Sequence, residues 1–268
     1  MTSLKELLLD RNLLVGDLPS EFGKLSRLET FYVFLNALSG SLPTEFGNLS
    51  NLRDVRFEVN FFSGTIPSEI GMWTKIEDLV IGNNTLTGSI PTELGNCQQL
   101  TYLDLYRNFL SGSLPTEIGL LTNAGQLYFE ENRLSGKLPT ELGNIKSATR
   151  MWIHKNLFTG TLPSEIGLMT KLTDIDLGQN TLSGSLPTEV GLLTDAEFLN
   201  LESNLFTGTI PSELGNLSRL TLLALEGNLL TGEMPTEICE LTKTGVLSRL
   251  NLTVDCSNLA CNCCTCVS

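Results

Sequence analysis

The 268-residue sequence has few basic residues and a single histidine. It contains 17 lysines and arginines against 30 acidic residues, which gives a net charge of −13 at pH 7. A protein surface that binds nucleic acid has to be basic, so this charge balance argues against a nucleic-acid partner. The chain has one histidine and lacks a glycine-rich phosphate loop, a set of metal-spaced ligands and a nucleophile elbow. We therefore expect neither an enzyme nor a cofactor or metal site.

Long apolar runs are also missing. No stretch of 18 consecutive apolar residues occurs, so no membrane span is expected. The N-terminal residues do not form a signal peptide, because Leu4, Leu7 and Leu9 already follow the periodic pattern of the rest of the chain. This pattern begins without a capping segment, which favours a fragment of a longer protein.

What the sequence has in excess is one 24-residue unit, represented by residues 100–123 (LTYLDLYRNFLSGSLPTEIGLLTN). An asparagine recurs at this interval at Asn12, Asn36, Asn60, Asn84, Asn108, Asn132, Asn156, Asn180, Asn204 and Asn228. All ten prolines lie seven residues after these asparagines, from Pro19 to Pro235. A period of this length is typical of a solenoid, in which each repeat is one turn and contacts its neighbours.

The register LxxLxLxxNxLxGxLPxELGxLxx holds over residues 4–243, and it resembles the repeats of plant-type leucine-rich repeat proteins. That class includes receptor-kinase ectodomains and polygalacturonase-inhibiting proteins. The resemblance implies an α/β solenoid, a leucine-rich repeat arc with a parallel sheet on its concave face. We assign ten repeats without an N-terminal cap to residues 1–243. The last strand and a cysteine-rich C-terminal cap are assigned to residues 244–268.

The residue types of the unit fit such a turn of chain. Leu103 and Leu105 are two apart, so both side chains point to the interior side of a short strand. In this repeat class Asn108 is expected to bond backbone groups that the following turn leaves unpaired. Gly112 permits a positive φ. Pro115, with a glutamate two residues later, is expected to open a short helical turn.

The informative residues are those that vary at strand positions 3, 5, 7 and 8, counted from the first leucine to the asparagine. These positions are expected to project from the concave face. They hold all four tyrosines, together with Trp152, the single histidine His154 and Phe34. Aromatic side chains in solvent are typical anchors of interfaces. Cross-strand stacking of the rings on the sheet is the structural alternative.

We predict a ligand-binding site centred on repeats 5 to 8. The predicted contact residues are Tyr32, Phe34, Arg56, Tyr102, Asp104, Tyr106, Tyr128, Glu130, Arg150, Trp152, His154, Asp174, Asp176, Asn200 and Glu202. They favour a recognition module for a protein, peptide or glycan, as in a receptor ectodomain or a secreted binding protein. A secreted inhibitor of a cell-wall-degrading hydrolase is the alternative that the resemblance implies. A glycosidase that uses the carboxylate pair Asp174 and Asp176 is the enzymatic alternative.

A second column of hydroxyls flanks the repeated glycine, as Ser111 and Ser113 flank Gly112. Regular hydroxyl ladders template ordered water, so a structural or ice-binding protein is a further alternative. In the plant-type repeat, the same hydroxyls are expected to hydrogen-bond within a second small sheet.

The repeat pattern fails after Glu237, where a group of cysteines begins. Six of them are expected to form disulfides that close the last repeat: Cys239, Cys256, Cys261, Cys263, Cys264 and Cys266. The sequence does not select among the possible pairings. Zinc binding by thiolates is the alternative, disfavoured because the tail lacks histidine and a paired CxxC spacing. Cys97 and Trp73 share a leucine position, so both are expected in the core, with Cys97 a free thiol.

Four N-glycosylation sequons begin at Asn48, Asn83, Asn216 and Asn251. Together with the cysteine group they favour a secreted protein or an extracellular ectodomain. A glycan on Asn83 is expected to lie on the concave face at repeat 4.

Overall fold

The computed structural model describes residues 3–243, 251–255, 257 and 259–266. The chain divides into two compact units, Met1–Leu134 and Ser135–Ser268. Both units repeat the same sequence of elements: a main strand, a second strand and a 3₁₀ helix. Because alternate residues of a strand point to opposite sides, each main strand supplies side chains to the core and to the solvent side at once.

In the first unit, six main strands pair in parallel: Glu6–Leu8, Thr30–Tyr32, Asp54–Arg56, Asp78–Val80, Tyr102–Asp104 and Gln126–Tyr128. Leu79 lies opposite Leu103, which lies opposite Leu127. All three leucines are fully buried. The 24-residue period therefore stacks equivalent core positions directly on one another, which fixes the register of the sheet.

In the second unit, the main strands are Arg150–Trp152, Asp174–Asp176, Phe198–Asn200, Leu222–Ala224, Asn251–Val254 and Thr265–Cys266, again parallel. Leu222 pairs with Asn251, so the sheet continues where the sequence has lost its 24-residue period. Buried Leu252 takes the core position there, opposite Leu223.

The second strands follow the repeated asparagines, and one more lies in the C-terminal segment where the 24-residue period is lost. They are Val15–Asp17, Ala37–Ser39, Thr87–Gly88, Phe109–Gly112, Arg133–Lys137, Leu157–Gly160, Thr181–Gly184, Leu205–Gly208, Leu229–Leu230, Gly232–Glu233 and Leu259–Ala260. The predicted hydrogen bonds of the hydroxyl column are present: the Thr87 hydroxyl donates to Gly64 O at 3.1 Å and the Ser183 hydroxyl donates to Gly160 O at 3.4 Å.

The predicted helical turns are 3₁₀ helices. They span Ser20–Lys24, Thr44–Asn48, Ser68–Met72, Thr92–Asn96, Thr116–Leu120, Thr140–Asn144, Ser164–Leu168, Thr188–Leu192 and Ser212–Asn216. Each begins after an extended proline, as at Pro115, and carries its glutamate in the first turn. The glycine in these helices has a role that the sequence did not indicate, as Gly167 shows. A Cβ on Gly167 would overlap the carbonyl oxygen of Glu189 in the next helix, so only glycine allows the helices to stack this closely.

The asparagine ladder is confirmed. In the first unit, Asn132 is buried and its Oδ1 accepts the backbone N–H of Leu110 at 3.0 Å. Its Nδ2 donates to the carbonyl oxygens of Leu105 at 2.9 Å and Phe129 at 3.1 Å. One amide therefore pairs backbone groups of its own repeat and of the preceding one.

Two backbone positions of the repeat have positive φ. Gly112 has φ of 78°, as its glycine identity predicts. The residue before the asparagine also has positive φ in nine repeats: Arg11, Leu35, Val59, Asn83, Arg107, Glu131, Lys155, Gln179 and Ser203, with φ between 48° and 58°. Gly227 holds the position in the tenth repeat. Strand position 8 is therefore already part of the turn that follows the main strand.

The predicted core assignments of Trp73 and Cys97 are confirmed. Trp73 is buried, and its indole N–H donates to Phe46 O at 2.8 Å. Cys97 is fully buried and free of disulfides, and burial raises the pKa of its thiol to about 12. An uncharged thiol of this kind is a poor nucleophile.

An eight-residue α-helix, Thr236–Lys243, opens the C-terminal cap. Cys239 on this helix forms a disulfide with Cys263, and Cys261 forms one with Cys264. Two bridges of the predicted cap are thus present, while Cys256 and the side chain of Cys266 lie outside the described residues. In the part of the chain that the structure describes, no helix has both the length and the apolar character needed to cross a bilayer.

Candidate ligand-binding face

The residues predicted to bind a ligand lie on the solvent side of the main strands. In each unit we call this side the ladder face, which is formed by strand positions 3, 5 and 7 of the repeats. Alternation along a strand places these side chains opposite the core leucines. The predicted residues do not form one uniform band, because each unit carries its own groups of interacting side chains.

The first group surrounds Tyr32. Its hydroxyl donates to the carboxylate of Asp54, and the guanidinium carbon of Arg56 lies 5.4 Å from the centre of its ring. Arg56 Nε lies 3.2 Å from Asp54 Oδ1. Burial raises the pKa of Tyr32 to about 12, and Asp54 adds to this shift. The Phe34 ring packs edge-on at 5.9 Å. Since these groups satisfy one another, they hold the Tyr32 ring in a fixed orientation.

The second group lies around Tyr102 and Tyr106. The rings of Tyr102 and Tyr128 have centroids 5.4 Å apart, and the Tyr128 hydroxyl donates to the Gln126 side-chain oxygen at 2.7 Å. The ring of Tyr106 covers Gly82, where any Cβ would overlap it. Burial raises the pKa of both Tyr102 and Tyr106, so their hydroxyls remain protonated. The half-buried rings of Tyr102 and Tyr106 therefore each offer an apolar surface and a protonated hydroxyl.

The carboxyl groups of Glu58 and Asp104 in this unit have raised pKa values. Burial raises the pKa of Glu58 to about 7, with Asp104 and Asp54 adding to the shift and Arg56 opposing it. Burial also raises the pKa of Asp104 to about 6, although its Oδ1 accepts the N–H of Tyr106 at 3.0 Å. Among the described residues, no group hydrogen-bonds the buried Oε2 of Glu58. These acids therefore change charge near neutral pH.

Three predicted contact residues are buried on this face. Tyr128 is 7% exposed, and Asp104 and Glu130 are each 8% exposed. Adjacent strands of a sheet are only about 4.8 Å apart, so long side chains cover shorter neighbours. Asp104 also folds back to accept its bond from the backbone of Tyr106. The prediction that these three residues project into solvent was wrong.

The second unit has a pocket of about 290 Å³ on the ladder face. It is lined by Trp152, His154, Asp174, Asp176 and Phe198. The register of three adjacent main strands builds it, because Trp152 lies opposite Asp176 and Asp174 lies opposite Phe198. Aromatic walls and carboxylates are therefore brought together from residues far apart in sequence.

Asp176 is the most constrained of these groups. Its Oδ2 lies 3.3 Å from Nδ1 of His154, and its Oδ1 accepts the N–H of Gly178 at 3.1 Å. Burial raises its pKa, while His154, Gly178 and the side-chain amide of Asn200 oppose the shift and Glu202 adds to it. The orientation of the carboxylate is thus fixed by groups on its own and neighbouring repeats.

The other predicted residues of this unit are placed by local pairs. Arg150 Nε lies 3.5 Å from Asp174 Oδ2, which also accepts the Thr173 hydroxyl at 2.6 Å. Glu202 accepts a hydrogen bond from the Gln179 amide at 3.1 Å. These contacts fix the positions of the Asp174 and Glu202 carboxylates on the ladder face.

Three contributors were missed as site residues. Phe198 occupies strand position 3, so the same rule that selected Tyr102 would have selected it. Gly82 and Glu58 lie at strand position 7, but glycine and glutamate are not typical interface anchors. The space over Gly82 and the burial of Glu58 depend on where the neighbouring side chains lie.

The four sequons differ in exposure. Asn48, Asn216 and Asn251 are exposed, whereas Asn83 is half-buried in the positive-φ turn. Glycosylation at these asparagines stays a prediction.

The Leucine Rich Repeat family matches four stretches of the chain, residues 3–25, 75–97, 99–121 and 196–217. A solved leucine-rich repeat protein of Leptospira interrogans is 31% identical, covering 96% of this chain and 68% of that one, with a TM-score of 0.72. The chain belongs to the leucine-rich repeat family. The resemblance and the solenoid fold predicted from the repeat pattern are thereby confirmed.

These leucine-rich repeats are also similar to those of two plant proteins. One is the Arabidopsis receptor kinase HAESA, solved with the peptide hormone IDA and the co-receptor SERK1. It is 32% identical over 92% of this chain and 41% of that one, with a TM-score of 0.85. The other is a plant ice-binding protein, 25% identical over 98% of this chain and 83% of that one, with a TM-score of 0.74.

The chain spans less than half of the length of HAESA and of the other plant receptors among these matches. No curated protein sequence matches it.

Proposed function

We propose that this leucine-rich repeat chain is an extracellular recognition module whose ladder face binds an extended peptide or a segment of a partner protein. The observation that carries the proposal is the placement of Tyr32, Tyr102, Tyr106 and Trp152. All four are half-buried on the ladder face, while leucine, isoleucine, valine and phenylalanine side chains fill the core on the other side of the strands. Partly exposed rings held by their neighbours are the side chains that most often anchor interfaces.

The chemistry of the cap and of the relatives supports this proposal. HAESA, which is similar over most of this chain, is solved with a peptide hormone and a co-receptor. The disulfides Cys239–Cys263 and Cys261–Cys264 suit an oxidising, extracellular compartment. Parallel strands at regular spacing also offer an extended ligand a series of equivalent contacts. The proposed activity is binding without catalysis.

Selection against a displayed library of random linear peptides tests the proposal. Wild-type protein should enrich a family of related peptides. Changing Tyr106→Ala together with Trp152→Ala should weaken binding of the enriched peptides by roughly a hundredfold, since interface aromatics each contribute about 1–2 kcal/mol or more. The melting temperature should change little, because neither ring fills the core.

The matched control removes two exposed rings outside the ladder face, Phe61→Ala with Phe109→Ala. This control should keep wild-type affinity. Failure to enrich any peptide, or equal losses in both double variants, would contradict binding by the ladder face.

A second candidate function is ice binding, favoured by the likeness to a plant ice-binding protein. The hydroxyls of Thr65, Ser89 and Ser113 are exposed at the same position of successive repeats, which gives a regular polar column. Lys137 stands at the equivalent position of the next repeat and interrupts the column. Thermal hysteresis of the wild-type protein tests this candidate. Freezing-point depression should disappear in Ser89→Lys. If the wild-type protein shows no thermal hysteresis, ice binding is excluded.

A further inference from the structure

The pocket on the ladder face of the second unit has a composition that restricts what it binds. Its walls include the indole of Trp152 and the ring of Phe198, and its polar groups include the carboxylates of Asp174 and Asp176. His154 lines the remaining side, with its ring centroid 6.5 Å from that of Trp152. A volume of about 290 Å³ is at the small end of ligand pockets, so it suits one side chain more than a whole small molecule.

The charge of the pocket excludes two classes of occupant. An anion would be repelled by two carboxylates. A neutral apolar group would remove water from Asp174 and Asp176 without replacing their hydrogen bonds, which is unfavourable. A cation avoids both costs, because it pairs with the carboxylates as water leaves.

The aromatic side chains of the pocket favour a planar cation. Aromatic faces attract cations, and the planar guanidinium stacks on them more readily than a hydrated ammonium does. The guanidinium also presents a fork of N–H donors that matches carboxylate oxygens. Asp176 is already oriented by the N–H of Gly178, so a carboxylate is held ready to accept such a fork.

We propose that this pocket receives the guanidinium group of an arginine side chain in the bound peptide. The inference rests on the proposed function for the identity of the ligand, but its chemistry depends on the five lining residues and the neighbouring Arg150. Arg150, whose Nε lies 3.5 Å from Asp174, offsets part of the acidic charge, and an incoming arginine then pairs mainly with Asp176.

The test is a fluorescence titration with Nα-acetyl-arginine amide, with the corresponding citrulline and lysine amides as comparisons. The protein has two tryptophans, and Trp73 is buried in the core of the first unit, so Trp152 reports the pocket. Arginine amide should change the emission saturably. Citrulline amide, which has nearly the same shape without the charge, should bind at least about tenfold more weakly. Lysine amide should also bind more weakly, because it lacks the planar group.

Variants separate charge from shape. Asp176→Asn should weaken arginine binding about tenfold. Phe198→Leu should weaken it less while leaving the preference over citrulline. The control Asp195→Asn makes the same change of net charge at a residue that pairs with Arg219 at 2.8 Å, outside the pocket, and should bind as wild type does.

The possible results distinguish failure of the arginine pocket from failure of the proposed function. Citrulline or lysine amide binding as well as arginine amide overturns the inference, and this comparison needs no variant to fold. Wild-type affinity in Asp176→Asn overturns it as well. If the protein enriches peptides but does not bind arginine amide, this inference fails while the proposed function stands. If arginine amide binds but no peptide is enriched, the proposed function fails and the chemistry of the pocket stands.

Discussion

The buried asparagine of each repeat satisfies the backbone where the chain leaves the main strand. In the second unit, Asn180 accepts the N–H of Phe158 at 3.1 Å and donates to the carbonyl oxygens of Ile153 and Leu177, each at 3.1 Å. All of these groups are buried, so water does not replace a lost partner. The stability of the turn therefore depends on one amide.

Replacing Asn180 by alanine should lower the free energy of unfolding by about 3 kcal/mol or more, because each buried unpaired polar group costs roughly 1–3 kcal/mol. Urea denaturation measures the loss. The control is Asn12→Ala, an exposed position whose amide donates to Leu9 O and Asp10 O in its own repeat. It should cost less than about 1 kcal/mol. Similar losses in the two variants would contradict the role of the buried ladder.

The raised pKa of Glu58 makes the stability of the protein depend on pH. Its carboxyl group keeps a proton to about pH 7 in the folded state and loses it near the ordinary value of 4.5 in the unfolded state. Between these values the folded state binds more protons, so stability falls as pH rises from about 4.5 to about 7. Below pH 4.5 both states are protonated and the effect is constant.

Replacing Glu58 by glutamine should remove part of this loss. Relative to wild type, Glu58→Gln should gain on the order of 1 kcal/mol between pH 5 and pH 8, a discounted figure because solvent screens a partly exposed carboxyl group. Denaturation curves at the two pH values measure it. Glu93→Gln, which makes the same substitution at an exposed 3₁₀-helix position, is the matched control. An identical pH profile in wild type and Glu58→Gln would show that Glu58 ionises normally.

Among the elements, the 3₁₀ helices stack closely at their glycines. Gly167 lies against the backbone of Glu189 in the following helix, and Gly143 lies against that of Glu165 in the same way. Cys239 stands at the equivalent position of the helix Thr236–Lys243, and there a side chain is present and forms a disulfide. Glycine at this position is thus a requirement of helix stacking.

Replacing Gly167 by alanine should destabilise the protein by about 1–3 kcal/mol, because the added methyl group forces neighbouring helices apart. Leu168→Ala, at an exposed position of the same helix, should change stability by less than about 0.5 kcal/mol. Thermal unfolding of both variants measures the difference. If Gly167→Ala left the stability unchanged, the helices would relax easily and the glycine would serve another purpose.

At the scale of the whole molecule, stability is distributed along the chain because each repeat contacts its neighbours and little else. The cap therefore protects the end of the second unit, and its effect should fade with distance along the repeats. The bridge Cys239–Cys263 closes a segment with a sequence separation of 24 residues.

Removing this bridge with Cys239→Ser and Cys263→Ser should cost about 3 kcal/mol, the usual value for a loop of this length. Amide hydrogen exchange should accelerate in Leu222–Ala224 and Leu229–Leu230, while the main strands of the first unit exchange as before. Cys97→Ala removes a thiol without removing a bridge, so it should alter exchange in the first unit alone. Uniform acceleration along the chain would contradict the nearest-neighbour description.

The sequence by itself determined the repeat, the strand register, the core positions, the asparagine ladder and the positive φ of Gly112. It did so because residues 24 apart stack on one another, and each position meets a copy of the same environment in the next repeat. For the same reason Trp73 and Cys97 were assigned to the core from their place in the repeat alone.

Only the tertiary structure decided how the varying residues combine. The burial of Tyr128, Asp104 and Glu130, and the pocket that Phe198 completes, depend on the direction and length of side chains on adjacent strands. The pairing of Cys239 with Cys263 depends on where the chain returns after the period is lost. A periodic sequence fixes the backbone that all repeats share, but contacts between unlike side chains are set only when the strands lie about 4.8 Å apart in the folded sheet.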